Sequence, residues 1–494
     1  MDRDKLVILD FGGTQSRAVA RKVRGEQFYC EILPCDTPIS EIRSCSPKGI
    51  LLTGGAQDAS RKEAVECARE VYEMGVPILA MGYAARRMAV QLGGRLMGAA
   101  MEKRTAPFEP GEDVLFDEIS ESERYFGRLD VVELPEGFEP IAQSNGLISG
   151  FAHKEKRIYA LQFEVEQNDP DGLRILDNFA RQICECDPWW SMEAYVDQQL
   201  AQIRERVQDG SALLAISGGV DSSVCAALLH KAIGRRLHCV FVDTGFMRKG
   251  EPALIQQIFS DVMSMDLMVV NARGRFMNLL KGVTEPDEKR YLIGREIRKV
   301  LREEAQKLGR VDYLVRGTTY SDVMEEAGLG IPQDGGGGLG ILEPVRPLFK
   351  DEVRQVGEIL GLPRQIVWRQ PFPGAGLAVR CLGEVSEPRL NMLREADAIL
   401  RQEIEEAGLE KRIWQYFAVL PEQKTLCYRD GAKTCEHTMV IRAVSSSDGL
   451  NANAVRMPYD LLERVVWRIT NEVPGVGRVV YDITGCPSAA IEWW

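Results

Sequence analysis

One seven-residue stretch, Ser217-Gly218-Gly219-Val220-Asp221-Ser222-Ser223, constrains this chain more than any other. The apolar run 212–216 before it is long enough for one buried strand, and residues 224–233 after it (VCAALLHKAI) have the apolar spacing of an amphipathic helix. A strand, a Gly-Gly turn with hydroxyls and a helix start together make a cradle for phosphate. Glycines let the backbone approach an anion, and the unpaired N–H groups of the first helical turn point at it. Ser222 and Ser223 can cap that helix or donate to phosphate oxygens, and Asp221 can hold a magnesium ion. No Lys-Ser/Thr follows the glycines, so this is not a Walker A loop. The plainer alternative is an ordinary strand-to-helix turn; seven residues of this kind in this context favour phosphate binding.

At 494 residues the chain is too long for one ordinary domain. Its 45% hydrophobic and 27% charged residues are normal for a globular protein. A net charge of −12 argues against nucleic acid as the main ligand, so a polyphosphate must be held by a local site and not by the overall field. The opening MDRDKLVILDFGG enters a strand at once, with no secretory pattern, and no apolar run approaches the roughly 18 residues that span a bilayer. Twelve scattered cysteines without a CxxC, and only four histidines, fit a reduced, cytoplasmic setting without structural zinc.

Residues 1–187 alternate between strands (5–9, 49–53, 77–81, 157–163) and helices (16–24, 63–73, 84–92), which predicts a mainly parallel α/β sheet flanked by helices. Ile8-Leu9-Asp10-Phe11-Gly12, Thr53-Gly54-Gly55 and Pro77-Ile78-Leu79 make this region similar to a class I glutamine amidotransferase domain. That resemblance implies a G-x-C-x-G elbow carrying a nucleophilic cysteine and a His-Pro-Glu that completes the triad. Here the elbow reads Ala80-Met81-Gly82-Tyr83-Ala84, and Gln162-Phe163 is followed by Glu164-Val165-Glu166. Gly82 offers no nucleophile, and Glu164 in place of histidine cannot do the imidazole's work toward a thiol. Gly82, Glu164 and Glu166 therefore mark a degenerate glutaminase centre. Cys67 is expected on a helix, packing instead of reacting, and His153 in a solvated polar loop.

A second domain spans residues 188–369, with a helix at 192–207 leading into the phosphate loop. The next strand, 237–242, ends in Asp243 and, five residues on, Arg248, where open α/β sheets place ligand contacts. Asp243 could accept from a nucleotide hydroxyl or amine and Arg248 could hold a phosphate. The long amphipathic region 285–309 is mostly a solvated face, with Arg295 suspected of facing the cleft. Strand 311–315 follows, then four glycines at 335–338 suited to a lid or a linker, then Lys350 at a helix start, from which it could reach the polyphosphate.

From residue 370, Gln370-Pro371-Phe372-Pro373-Gly374 forces an extended linker, and helices at 387–407 and 458–473 with strands at 438–443 and 478–482 suit a small α+β domain that could pair with a second copy. The terminal Trp493-Trp494 is expected to be packed or at an interface.

Taken whole, the chain resembles the GMP synthetase family. The resemblance rests on the SGGVDSS stretch, Arg248-Lys249-Gly250-Glu251, Ile293-Gly294-Arg295-Glu296, Trp368-Arg369-Gln370-Pro371-Phe372-Pro373-Gly374, Val480-Tyr481-Asp482-Ile483-Thr484 and Ile491-Glu492-Trp493. It implies three domains: residues 1–187 class I amidotransferase-like, 188–369 an N-type ATP pyrophosphatase (adenine nucleotide alpha hydrolase-like), and 370–494 a dimerisation domain that makes a homodimer. The implied chemistry is adenylation of XMP by ATP with Mg2+, releasing pyrophosphate, followed by displacement of AMP by ammonia to give GMP. By the same analogy Ser217, Gly218, Gly219, Val220, Asp221, Ser222, Ser223 and Asp243 bind ATP, with Asp221 on magnesium and Asp221 and Lys350 catalytic. Arg248, Arg295, Ile491 and Glu492 fall to XMP or a related acceptor.

Further departures accompany the lost triad. Gln333-Asp334 and the glycine run replace the family's lysine- and histidine-bearing lid, Cys486 stands where the family places a lysine against the XMP phosphate, and residues 421–433 depart from the pattern beside the purine. Three readings follow: an ammonia-dependent enzyme of this type, with a separate glutaminase possible; a paralogue acting on a different carbonyl substrate; and a non-catalytic nucleotide-binding regulatory partner.

Overall fold

The computed structural model describes the chain except residues 1–2, 14, 56–58, 60, 62, 166–168, 321, 324–338, 430, 447–450, 487 and 494. Glu166, Gln333-Asp334, the glycine run 335–338 and Trp494 lie outside the described residues. The chain divides into two compact units, Met1–Ala194 and Tyr195–Trp494. Among the described residues no helix is long and apolar enough to cross a membrane.

The first unit is built on strands β1 (Leu6–Asp10), β2 (Cys30–Pro34), β3 (Gly49–Thr53), β4 (Ile78–Met81), β5 (Arg95–Pro110), β6 (Ser122–Glu133), β7 (Glu139–Ser144), β8 (Leu147–His153) and β9 (Ile158–Leu161). They form one sheet in the order β2-β1-β3-β4-β9-β8-β7-β5-β6. The half containing β1–β4 and β9 is parallel, as the unbroken apolar runs of β1, β3 and β4 require for strands covered on both faces. The other half is antiparallel, which corrects the expectation of a mainly parallel sheet. Its strands escaped the sequence because β5 and β6 are charged, largely exposed and offset by register shifts near Leu96, Ala99 and Met101.

The helix expected over 63–73 is also corrected, to a short 3-10 turn at Arg69–Glu73. Gln91 Nε2 donates to the Cys67 carbonyl at 3.0 Å, and Cys67 Sγ donates to Tyr72 Oη at 3.3 Å. Side-chain bonds of this kind offer the backbone an alternative to the helical ladder. Cys67 is buried as expected, but off any helix. His153 ends β8 with its ring 5.4 Å from that of Phe138, so it is packed and not in a solvated loop.

In the second unit, β10 (Ala212–Ala215), β11 (Leu237–Asp243), β12 (Leu267–Asn271), β13 (Tyr313–Val315) and β14 (Gly340–Leu342) form a parallel sheet in the order β12-β11-β10-β13-β14. The chain runs outward from β10 to β12, then returns to the other side of β10 for β13 and β14. That reversal makes the carboxyl end of β10 the switch point at which open sheets leave a crevice.

A second sheet contains β15 (Gln415–Val419), β16 (Lys424–Arg429), β17 (Ala432–Ser445), β18 (Asn453–Ala454) and β19 (Val476–Asp482), with β17 paired to all the others. The helices Glu387–Glu406 and Tyr459–Glu472 bury Leu393, Ile404, Val465 and Ile469 in the same core as this sheet. That core also takes in Phe246, Phe276 and Ile293 from the first-sheet half, so apolar packing runs unbroken past residue 370.

Candidate active site

The switch-point loop turns at Gly218, whose φ of +77° is left-handed. A Cβ there would lie 2.5 Å from Ile255 Cδ1 and 2.6 Å from Arg369 Nη1, so space as well as backbone angle demands glycine. Behind the turn the hydroxyls act as braces. Ser222 Oγ and Ser223 Oγ donate to the Gly219 carbonyl at 3.1 and 2.8 Å, and Ser217 Oγ accepts from Gly219 N at 3.2 Å and lies 3.0 Å from Ser222 Oγ. The segment after β13 closes in as well, since a Cβ on Gly317 would come within 3.1 Å of Ser222 N.

Val220 opens the helix Val220–Ile233, which puts Asp221 in its first turn. Asp221 Oδ2 is ion-paired to Lys350 Nζ, from the first residue of the helix Lys350–Ile359. Phe349 N donates to Glu352 Oε2 at 2.8 Å, fixing that helix start and with it the lysine. Asp221 Oδ1 accepts no hydrogen bond from the described residues. One turn further on, burial pushes the Arg354 guanidinium below its ordinary value, with Asp221 pulling the other way. The structure thus brings together the seven loop residues and Lys350 as the sequence predicts.

Asp243 stands beside them at the carboxyl end of β11 but is already engaged. It is buried, accepting from Gly245 N at 3.0 Å and from Arg273 Nε at 2.8 Å. The chain itself supplies donors of the kind the sequence reading reserved for a nucleotide.

Arg248 and Arg380 share the ring of Phe372, and Arg380 in turn holds Glu492. Arg248 is 3% exposed, with its guanidinium carbon 4.3 Å from that ring and Nε 3.6 Å from Asp397 Oδ2. Burial pushes it down to about 9 against the pull of Asp397. Fully buried Arg380 lies 5.4 Å from the same ring and 4.1 Å from that of Phe417, and grips Glu492 with both arms, at 3.0 and 2.6 Å. Gln415 Nε2 adds a third donor to Glu492 at 2.9 Å. Arg369 bridges the two halves of the site: it donates to the Gly218 carbonyl, pairs with Glu251 and lies 5.5 Å from the Phe372 ring.

The carboxyl-terminal segment is tied down by a second buried arginine. Arg442 pairs with Asp482 and donates to the Ala490 carbonyl at 3.2 Å, while Trp493 Nε1 donates to Asp482 Oδ2 at 2.8 Å. Trp493 is held by its indole N–H and stays partly exposed, and Ile491 is half-buried beside Glu492. Cys486 exchanges backbone bonds with Ala452. Arg295 stands apart: it is exposed, 5.8 Å from the ring of Tyr291, and among the described residues shares no hydrogen bond or ion pair with the Arg248 cluster. Arg380, Asp397 and Gln415 were not picked out from sequence, and Arg369 entered only within the Trp368-to-Gly374 stretch, with no role of its own. An arginine isolated in an apolar run, as in Leu377-Ala378-Val379-Arg380-Cys381-Leu382, was the available signal.

In the first unit β4 turns at Gly82, φ +54°, directly into the helix Gly82–Gln91. This is the strained strand-to-helix turn that in a nucleophile elbow presents the reacting side chain. Here a Cβ would lie 2.2 Å from Glu164 Oε1 and 2.7 Å from its Cδ. Thr53 Oγ1 donates to Glu164 Oε2 at 2.8 Å, and burial pushes the carboxyl up to about 7 despite that bond and one from the Gly54 backbone. The two departures at 82 and 164 are therefore a single packing event: the carboxyl occupies the space that a side chain at 82 would need. Burial also pushes the thiols of the same unit upward, Cys35 to about 12 and Cys67 to about 11.

Residues 7–183 match the glutamine amidotransferase class-I family, 192–423 the NAD synthase family and 402–493 the GMP synthase C terminal domain. A GMP synthase (glutamine-hydrolyzing) from Clostridium tetani is 43% identical over 511 residues, covering 100% of both chains. One of the same description from Thermosynechococcus vestitus is 44% identical over 518 residues, covering 100% of this chain and 97% of that one. Likeness of this degree along the whole length makes the chain a member of the GMP synthase family.

Proposed function

We propose that this chain is an ATP-dependent ligase that converts XMP to GMP with ammonia as the nitrogen donor. The observation that carries the reading is the braced glycine turn at the switch point, with the Asp221–Lys350 pair beside it. The C2 oxygen of XMP attacks the α-phosphorus of ATP and pyrophosphate leaves; ammonia then adds at C2 and AMP departs. The loop N–H groups and Lys350 stabilise the charge gathering on the departing pyrophosphate. Asp221 Oδ1, without a donor among the described residues, suits a magnesium ion, which takes one or two carboxylates together with phosphate oxygens. When bound there, the ion supplies further neutralisation of phosphate charge. Arg248 and the Arg380–Glu492 pair are assigned to the acceptor.

Ammonia is preferred to glutamine because the elbow has no nucleophile and Glu164 fills its place. The ammonia is then taken free or from a separate glutaminase. The test is pyrophosphate release with ATP and XMP, comparing ammonium with glutamine. Release with ammonium alone is expected; silence with both donors would refute the reading. Cys486 favours a second reading, a different carbonyl acceptor, because the family resemblance places a phosphate-binding lysine there.

We also propose three functional segments, 1–187, 188–369 and 370–494, and a homodimer formed by the last. In that segment Leu426, Tyr428 and Ile483 are exposed by 59%, 67% and 75%. Sedimentation of the full chain as a monomer would exclude the dimer.

A further inference from the structure

Lys289, near the start of the helix Pro286–Lys307, is fully buried. Among the described residues it makes no ion pair; its ammonium donates instead to three backbone carbonyls, those of Ala378 at 3.3 Å, Cys381 at 2.7 Å and Gly383 at 2.5 Å. Three donors meet three acceptors, which is the full capacity of the group. An apolar side chain of the same length would fill the space without the cost of burying a charge. What the ammonium adds is three directed bonds onto one short stretch of backbone.

That stretch carries Arg380. The acceptors lie on both sides of it, and further ties come from elsewhere in the unit: Leu377 N donates to the Phe246 carbonyl at 2.7 Å, Leu382 N to that of Leu420 at 3.0 Å, Leu420 N to that of Arg380 at 2.9 Å, and Arg389 Nη2 to that of Leu382 at 2.7 Å. The Arg380 side chain extends from this clamp between Phe372 and Phe417 to the carboxylate of Glu492. A fork that must meet both carboxylate oxygens tolerates little play at its backbone.

We propose that Lys289 is a positioning residue for the acceptor: by holding the 378–383 backbone it aims Arg380 at Glu492 and keeps the Arg248–Phe372–Arg380 cluster in register. The role rests on the assignment of that cluster to XMP. Lys289 lies outside the cluster and acts only through Arg380.

The test uses the full chain with Lys289→Met, and with Lys289→Gln, which keeps N–H donors without the charge. Three quantities are read: KM for XMP, KM for ATP, and amide hydrogen exchange. In Lys289→Met, KM for XMP should rise about tenfold or more while KM for ATP stays within about twofold, the loss of roughly one directed charge-assisted bond's worth of binding. Exchange should quicken at 378–383 and not in the loop 217–223, and Lys289→Gln should fall between the two proteins. Unchanged exchange at 378–383 would overturn the proposal, as would equal losses for XMP and ATP. If Lys289→Met fails to fold, the same comparison is made with Lys289→Gln. If the unaltered chain turns over no XMP, the functional reading fails, and the exchange pattern still decides whether Lys289 holds Arg380.

Discussion

The two units contain the same local device with opposite surroundings. Each runs a buried strand into a helix through a glycine of positive φ, Gly82 at +54° and Gly218 at +77°. Beside Gly82 stands a carboxyl group, Glu164. Beside Gly218 and the helix it opens stand three cations, Lys350, Arg354 and Arg369. A strand-glycine-helix turn is thus filled by a side chain in one unit and ringed by cations in the other, two of which, Lys350 and Arg369, are paired with Asp221 and Glu251. Backbone shape alone does not decide between them.

The largest effect expected is at the open turn. Lys350→Met should lower the rate of pyrophosphate release by about 10²–10³-fold, the usual loss when one charge-stabilising donor is removed. A rate within threefold of the unaltered chain would mean that Lys350 does not face the polyphosphate.

At the closed turn, Gly82→Cys alone should yield no glutamate from glutamine and should destabilise the first unit by about 1–3 kcal/mol, because Glu164 already holds the space. Gly82→Cys with Glu164→His restores a thiol and puts an imidazole in place of the plugging carboxyl, and detectable glutamine hydrolysis is expected from that pair. Hydrolysis by Gly82→Cys alone would remove the plug from the account.

The smallest effect concerns protons. The folded Glu164 carboxyl, at about 7 against an ordinary 4.5, binds its proton more tightly than the unfolded chain does. Its contribution to stability is therefore complete below about 4.5 and lost as the pH rises through about 7. Glu164→Gln should flatten the fall in the unit's melting temperature between pH 5 and 8; an unaltered slope would place the carboxyl in solvent.

Sequence patterns exposed much of what depends on local spacing, though not the 3-10 turn at Arg69–Glu73. Ser217 to Ser223, the strand before them and the helix after them stand where apolar periodicity and turn chemistry put them, and Gly82 and Glu164 were recognisable as paired departures. That they touch was not legible, because contact between residues 82 and 164 is a property of the β4–β9 pairing. The Arg380–Glu492 clasp was hidden for the same reason. Asp243 could be placed at a strand end, but its capture by Arg273 depends on β12 pairing beside β11, which sets Asn271 against Asp243 and Arg273 just beyond. The antiparallel strands β5 and β6 have so few buried positions that alternation never emerges above their charge.

The buried clasp also sets an order of events for a chain made from its amino end. Arg380 and Glu492 are 112 residues apart, about 6–20 seconds of synthesis at ordinary ribosomal rates. Through that interval the guanidinium has no Glu492 carboxylate to receive it, and enclosing it between Phe372 and Phe417 is unfavourable. The hydroxyl braces of the Gly218 turn lie within residues 217–223, and the later ties to that loop, from Lys350 and Arg369, are made before Arg380 itself. A nascent chain can therefore shape the 217–223 turn well before the Arg380–Glu492 clasp closes, and that clasp waits on the emergence of residue 492.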